Sequence, residues 1–367
     1  MHALIVGNAD KRIDDISSAQ LEPFFHYRKP LAKRLGLSFD HFQASRADEI
    51  WRALDKAATP DAIFLRPDWR ETPDRMTDLA ARIRERHDAA RLIFMDPWDQ
   101  TSSRFFGVLP HVDRFLKFQR LKDTRLYLRE YVGGALITDY LANHLGYPFD
   151  GWDVSSRVEP GLETRIGTGW SFAISRKYQK VFRRSSRGKK KALASRGNDV
   201  FCHLSLGNPD EKNSWYARYR KQTLATLTPM EKRRKLAMSG DYFGHRTVSS
   251  KQYQRDIRDS KIVVSPFGWG EVTWRDYEAA CHRCLLVKPS IEHVSTTPNI
   301  FVAGETYVRV RWDLSDLEEK CEYYLEHLDE AQAIADNAHE AYRRYFEEQR
   351  FVETVEEILE AAASGRN

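Results

Sequence analysis

Residues 261–289 read KIVVSPFGWGEVTWRDYEAACHRCLLVKP, and they decide the fold. Ile262, Val263 and Val264 form a short apolar run of the kind buried in a parallel sheet. Pro266, Gly268 and Gly270 then break regular structure. Thr273 is placed to cap a helix running to about Cys284, with Asp276 in its first turn. Leu285, Leu286 and Val287 read as the next strand. A glycine loop lets backbone N–H groups approach a ligand, and the helix start behind it favours anions. A phosphate is the natural guest. Ser265, Gly268, Trp269, Gly270 and Arg275 are the candidates to hold it, Arg275 either on a diphosphate or paired with Asp276 or Glu271.

The same alternation runs outward in both directions. Towards the amino terminus, Ala3–Val6, Ala62–Arg66, Arg91–Asp96 and Arg114–Phe118 are short apolar stretches, with a helical pattern over Pro73–His87. This predicts a doubly wound α/β sheet whose ligand loops follow the carboxyl ends of the strands. Asp96 and Asp99 lie in one such loop, as acid/base carboxylates or as ordinary turn residues beside Pro97. A helix is expected near Thr124–Tyr131, and Tyr127, Tyr131, Tyr140 and Tyr147 as packing or as a sugar-lining set. A second series begins at Asn198: strand Val200–Leu204, helix Trp215–Thr226, the central unit, and strand Tyr307–Trp312. Ser315 and Glu318 make a capping-box pattern before further helices over Ala331–Tyr345 and Phe351–Ala362. Arg218, Arg220 and Lys221 are candidates for charge compensation at an anion. Two-residue spacing separates Arg218 from Arg220, so at most one reaches it, and Arg218 is carried forward.

The 367 residues suggest about two domains: 1–175, a basic linker 176–197, 198–345, and a terminal helix 346–367. No stretch reaches the roughly 18 apolar residues of a membrane span. The start, MHALIVG, reads as a first strand and not as a signal peptide. Four cysteines suggest no disulfide framework, which favours a reducing cytoplasm. Cys281 and Cys284 form a CxxC without a second pair, so packed thiols are expected in place of zinc. With 58 basic and 53 acidic residues the balance argues against nucleic acid as a partner. The run Arg183–Lys191 holds the densest charge, as an exposed linker that proteases nick or as a peripheral contact with anionic membrane.

SPFGWGE, RDYEA, LLVKP, TTPNIF and WDLSDL, in this order, resemble the carboxy-terminal half of bacterial GT-B glycosyltransferases of the group 1 and exostosin-like branch. The likeness is strongest over about 248–346. It implies two Rossmann-like domains facing a cleft, with the last helix crossing back to the first domain. It implies a nucleotide-diphosphate sugar as donor and a glycan, lipid-linked or surface-polysaccharide hydroxyl as acceptor, with no metal and no other cofactor. By this resemblance Glu278 accepts the ribose hydroxyls, and Thr296 lies on the donor rim. Ser265 stands where many of these enzymes carry a glutamate, whose role either passes to Glu271 or is absent. The alternative is a non-catalytic nucleotide-sugar or glycan-binding protein on the same fold.

Overall fold

A computed structural model describes residues 1–152, 155–185, 191–211 and 214–364. Two parallel sheets carry the chain. The first has the order β2-β1-β3-β4-β5-β7, from strands β1 (His2–Gly7), β2 (Ser38–Phe42), β3 (Ala62–Arg66), β4 (Arg91–Met95), β5 (Arg114–Lys117) and β7 (Ile166–Thr168). The second has the order β13-β11-β10-β8-β9, from β8 (Asn198–Gly207), β9 (Leu236–Tyr242), β10 (Ser260–Val264), β11 (Leu285–Pro289) and β13 (Val308–Val310). Central strands are apolar on both faces because helices cover both sides: all of β3 is buried. The stretch that opens the sequence reading forms β10, a loop, helix α9 (Trp274–His282) and β11, with β10 paired to both β8 and β11.

The halves are joined by more than the chain. Strand β6 (Gln119–Leu121), between β5 and β7 in the chain, pairs antiparallel with β12 (Val294–Thr296), between β11 and β13. The Glu271 carboxylate accepts from the Thr101 hydroxyl at 2.5 Å and from its N–H at 3.1 Å. Gln119 spans the same seam: its amide donates to the Asp99 carbonyl and its Oε1 accepts from Val272 N–H at 2.8 Å. The last helix, α12 (Arg350–Ser364), packs on β4, β5 and α2 (Arg28–Leu35) of the first half. Its Phe351 is fully buried, 4.9 Å from the Trp170 ring and 5.6 Å from Phe24. These are two Rossmann-like units with a last helix that returns to the first, as the sequence leads one to expect.

Three local expectations change. The segment Thr124–Leu128 is a 3-10 turn, because Asp123 caps Arg125 N–H and Arg129 is already extended. Ser315 does not cap a helix. Its N–H is taken by Asp313 at 2.9 Å, and α10 (Leu317–Glu326) starts two residues later. The segment read as linker is helical over α6 (Arg176–Ser185), where Tyr178 and Phe182 are buried against α11 (Leu328–Glu347) and α9. The densest part of the basic run, 186–190, lies outside the described residues. All four cysteines are buried and unpaired, and Cys284 Sγ lies 2.9 Å from Arg196. No helix among the described residues is long and apolar enough to cross a membrane.

Candidate active site

The carboxyl ends of both sheets open on one cavity of about 360 Å³. From the first half come Asp99, after β4; Ile16, in α1 (Asp15–His26); and Phe172. From the second come Ser205 and Gly207 at the end of β8, Tyr216 and Arg220 on α7 (Trp215–Leu227), and Phe243 after β9. The 268–274 loop and the start of α9 supply Gly268, Trp269, Val272, Thr273 and Trp274. Trp274 stacks on Phe172 across the two halves, ring centroids 3.8 Å apart.

Two glycines are required by space. A Cβ at Gly270 would overlap the Asp99 carbonyl and the Gln119 amide, so the loop closes on the first half only without a side chain there. Gly207 has φ +84°, a left-handed conformation, and a Cβ there would strike the Tyr216 ring.

The electrostatics are asymmetric. On the β8–α9 side, Arg220 donates to the Phe267 and Ser205 carbonyls. Arg275 donates to the His203 carbonyl at 2.7 Å and to Ser265 Oγ at 3.4 Å, and its Nε is buried without a partner among the described residues. Neither guanidinium forms an ion pair among the described residues. Burial and the neighbouring Arg275 bring Arg220 down to about 10, so it stays cationic at neutral pH. Asp276, in the first turn of α9, is neutralised by Lys288 Nζ at 2.5 Å, both side chains fully buried. What remains beside this helix start is positive charge without an ion pair among the described residues, while the capping box of Thr273 and Asp276 closes the helix end itself. Facing it, burial and the nearby Glu271 carboxylate raise Asp99 to about 6. That value suits a group that takes a proton near neutral pH.

Several expected residues stand elsewhere. Asp96 does not face the cleft: it is buried, 2.5 Å from Lys117 Nζ, and accepts from Trp98 N–H and Ser103 Oγ. Glu271 is wholly buried with both oxygens on Thr101, so it clasps the two halves and does not line the cavity. Ser265 lies one layer behind the cavity, 3.2 Å from Thr273 Oγ1. Thr296 is buried in the β6–β12 ribbon, where its hydroxyl donates to the Pro298 carbonyl at 3.0 Å. Arg218 stacks over the Tyr147 ring at 4.4 Å, and Arg220 reaches the cavity in its place. Gly268 and Trp269 line the cavity, while Gly270 shapes the loop.

Glu278 lies one turn beyond the α9 start. Its carboxylate accepts from Tyr253 Oη at 2.9 Å and Lys177 Nζ at 3.2 Å. Lys177, on α6, is largely exposed and also sits over the Trp274 ring at 5.0 Å. Neither Lys177 nor Tyr253 stands out in the sequence. Lys177 hides among the charges of the supposed linker, and Tyr253 lies on α8 (Ser250–Arg258), which no sequence motif marks.

Among the described residues, no three His, Cys, Asp or Glu side chains stand close enough together to hold a metal.

In sequence, residues 218–360 match the model of a family described as glycosyl transferase-like. No curated protein matches the chain. Among solved structures, a glycosyltransferase from Rickettsia africae aligns at 9% identity over 99% of this chain and 98% of its own, TM-score 0.48. An alpha-glucosyltransferase in complex with UDP-glucose and DNA aligns at 9% identity over 96% and 99%, TM-score 0.46. HepE of Anabaena in complex with UDP-glucose aligns at 10% identity over 99% and 100%, TM-score 0.43.

Proposed function

From the match of residues 218–360 to a glycosyl transferase-like family, we propose that the cleft transfers a sugar from a nucleoside diphosphate to an acceptor hydroxyl. One observation carries the reading. Arg220 lines the same cavity as Asp99, Arg275 lies buried behind it on α9, and neither guanidinium has an ion pair among the described residues. The diphosphate takes the positive end. The acceptor oxygen bonds to the anomeric carbon as the carbon–oxygen bond to the diphosphate breaks. Asp99 receives the hydroxyl proton, and the leaving phosphate's charge falls on the guanidiniums. A base placed to activate the acceptor suits inversion at the anomeric carbon.

On this reading Glu278 takes the ribose hydroxyls as Lys177 gives way. Glu278→Gln keeps the shape and removes the charged acceptor. Charge-assisted hydrogen bonds contribute about 1.5–3 kcal/mol, so affinity for a nucleoside diphosphate is expected to fall roughly ten- to hundredfold. Calorimetry with UDP, GDP and ADP measures this, with circular dichroism as the folding control. Wild-type affinity in the variant would remove Glu278 from the donor site.

Phosphate stabilisation by guanidiniums and a helix start needs no metal. EDTA is therefore expected to leave transfer intact, and a complete loss restored by a divalent ion would overturn that part of the mechanism. A panel of nucleotide sugars, followed for turnover as well as binding, separates this enzyme from a protein that only binds them: donor hydrolysis or transfer supports catalysis, and binding with neither supports the second.

A further inference from the structure

Gln119, the first residue of β6, is wholly buried between the loop that carries Asp99 and the loop of the second half that lines the cavity. Its side-chain nitrogen donates to the Asp99 carbonyl and lies 3.4 Å from one oxygen of the Asp99 carboxylate. Its Oε1 accepts from Val272 N–H at 2.8 Å. The partners fix this orientation. A carbonyl only accepts and a backbone N–H only donates, so the amide fits one way round.

The contact is tight on both sides. Glu271, beside Val272, holds Thr101, two residues after Asp99, so the same two segments are laced together twice. A Cβ on Gly270 would overlap both the Gln119 amide and the Asp99 carbonyl. Through one planar group, Gln119 joins Asp99 to the backbone of the loop that leads into α9.

We propose that Gln119 is a positioning residue for the transfer: it aims the Asp99 carboxylate into the cavity and makes that aim depend on how the 268–274 loop of the opposite half is seated. The proposal rests on the glycosyl-transfer reading, in which Asp99 takes the acceptor proton. An amide suits the role because it donates to one half while it accepts from the other. When the halves part, Val272 leaves Oε1 and the amide is free to turn. An open cleft then carries no aimed base.

Charges from several elements act on Asp99. Burial and Glu271 raise its carboxyl, while Lys117 on β5, Arg220 on α7 and the Gln119 hydrogen bond lower it. Arg66, at the end of β3, is also within reach of its charge. Loss of the amide donor therefore moves the carboxyl up, and an anion in the donor's place moves it further.

The test uses the full-length protein as wild type, Gln119→Met, Gln119→Glu and Asp99→Asn. Methionine keeps the length and removes both hydrogen bonds. Glutamate bridges as glutamine does while protonated, and sets an anion against Asp99 once ionised. NMR of protein labelled at the aspartate carboxyl carbons follows the titration, and the signal lost in Asp99→Asn is that of Asp99. It is expected to titrate at about 6 in wild type, higher in Gln119→Met and highest in Gln119→Glu. Turnover of a nucleotide sugar is expected to fall roughly 10²-fold in Gln119→Met, the cost of a misplaced reacting group, with its acid limb displaced upward in step. Affinity for UDP, GDP and ADP is expected to persist. Thermal melting guards against a folding defect, and Gln119→Glu, which keeps both hydrogen bonds at acid pH, carries the test if the methionine variant does not fold. An Asp99 titration unmoved by either substitution overturns the positioning role, whatever the activity. A displaced titration with wild-type turnover in Asp99→Asn leaves Gln119 as the group that sets Asp99 and removes Asp99 as the base instead.

Discussion

Replacing Asp99 by asparagine is expected to lower kcat about 10²- to 10⁴-fold, the usual contribution of a positioned general base, and to leave nucleoside diphosphate affinity nearly unchanged. The amide keeps the shape of the side chain but takes no proton. The backbone of the loop is unaffected, because Gln119 holds the Asp99 carbonyl and not its carboxylate alone. The pH profile gives an independent readout. Burial and the adjacent Glu271 put the carboxyl at about 6. A base works only when deprotonated, so turnover rises with pH through about 6 and levels above it. In Asp99→Asn that limb should vanish from the residual rate. A variant that keeps both its rate and its acid limb would show that another group takes the proton.

The second large effect concerns stability. Lys117→Met is expected to cost about 3–5 kcal/mol, read from denaturant unfolding. Lys117 is fully buried and donates to Asp96 at 2.5 Å, to the Ser102 carbonyl at 2.8 Å and to the Trp98 carbonyl at 3.1 Å. Removing it strands a carboxylate in the interior and frees the loop that carries Asp99. The double variant Asp96→Asn, Lys117→Met removes both charges and should recover most of the loss. A single-variant cost below about 1 kcal/mol would mean that Asp96 escapes by taking a proton, the direction in which burial already pushes it.

The parts of the fold legible in the sequence are those buried on both faces. The β10–α9–β11 unit announces itself because apolar runs are separated by proline and glycine. Strands β2 and β9 lie at sheet edges with half-exposed residues, and their polar letters conceal them. Helix α6 reads as linker because five of its ten residues are Lys or Arg, while Tyr178 and Phe182, four apart on one face, hold it down. The site is harder to read for a different reason. Helical phase chooses Arg220 over Arg218, and only contacts with residues more than a hundred positions away turn Glu271 inward. Asp96 and Asp99 are three positions apart and equally acidic on paper. Lys117, at the end of the neighbouring strand β5, takes one and leaves the other to the cleft.

Helix α12 gives the molecule an order of assembly. The first sheet is made first, yet its core around Phe24, Tyr27 and Trp170 has a place that only Phe351 fills. During synthesis that sheet must wait, with an aromatic-lined gap, until nearly the whole chain has emerged. Its completion then coincides with the joining of the two halves. A chain cut short before α12 would therefore fail in the part that is made first.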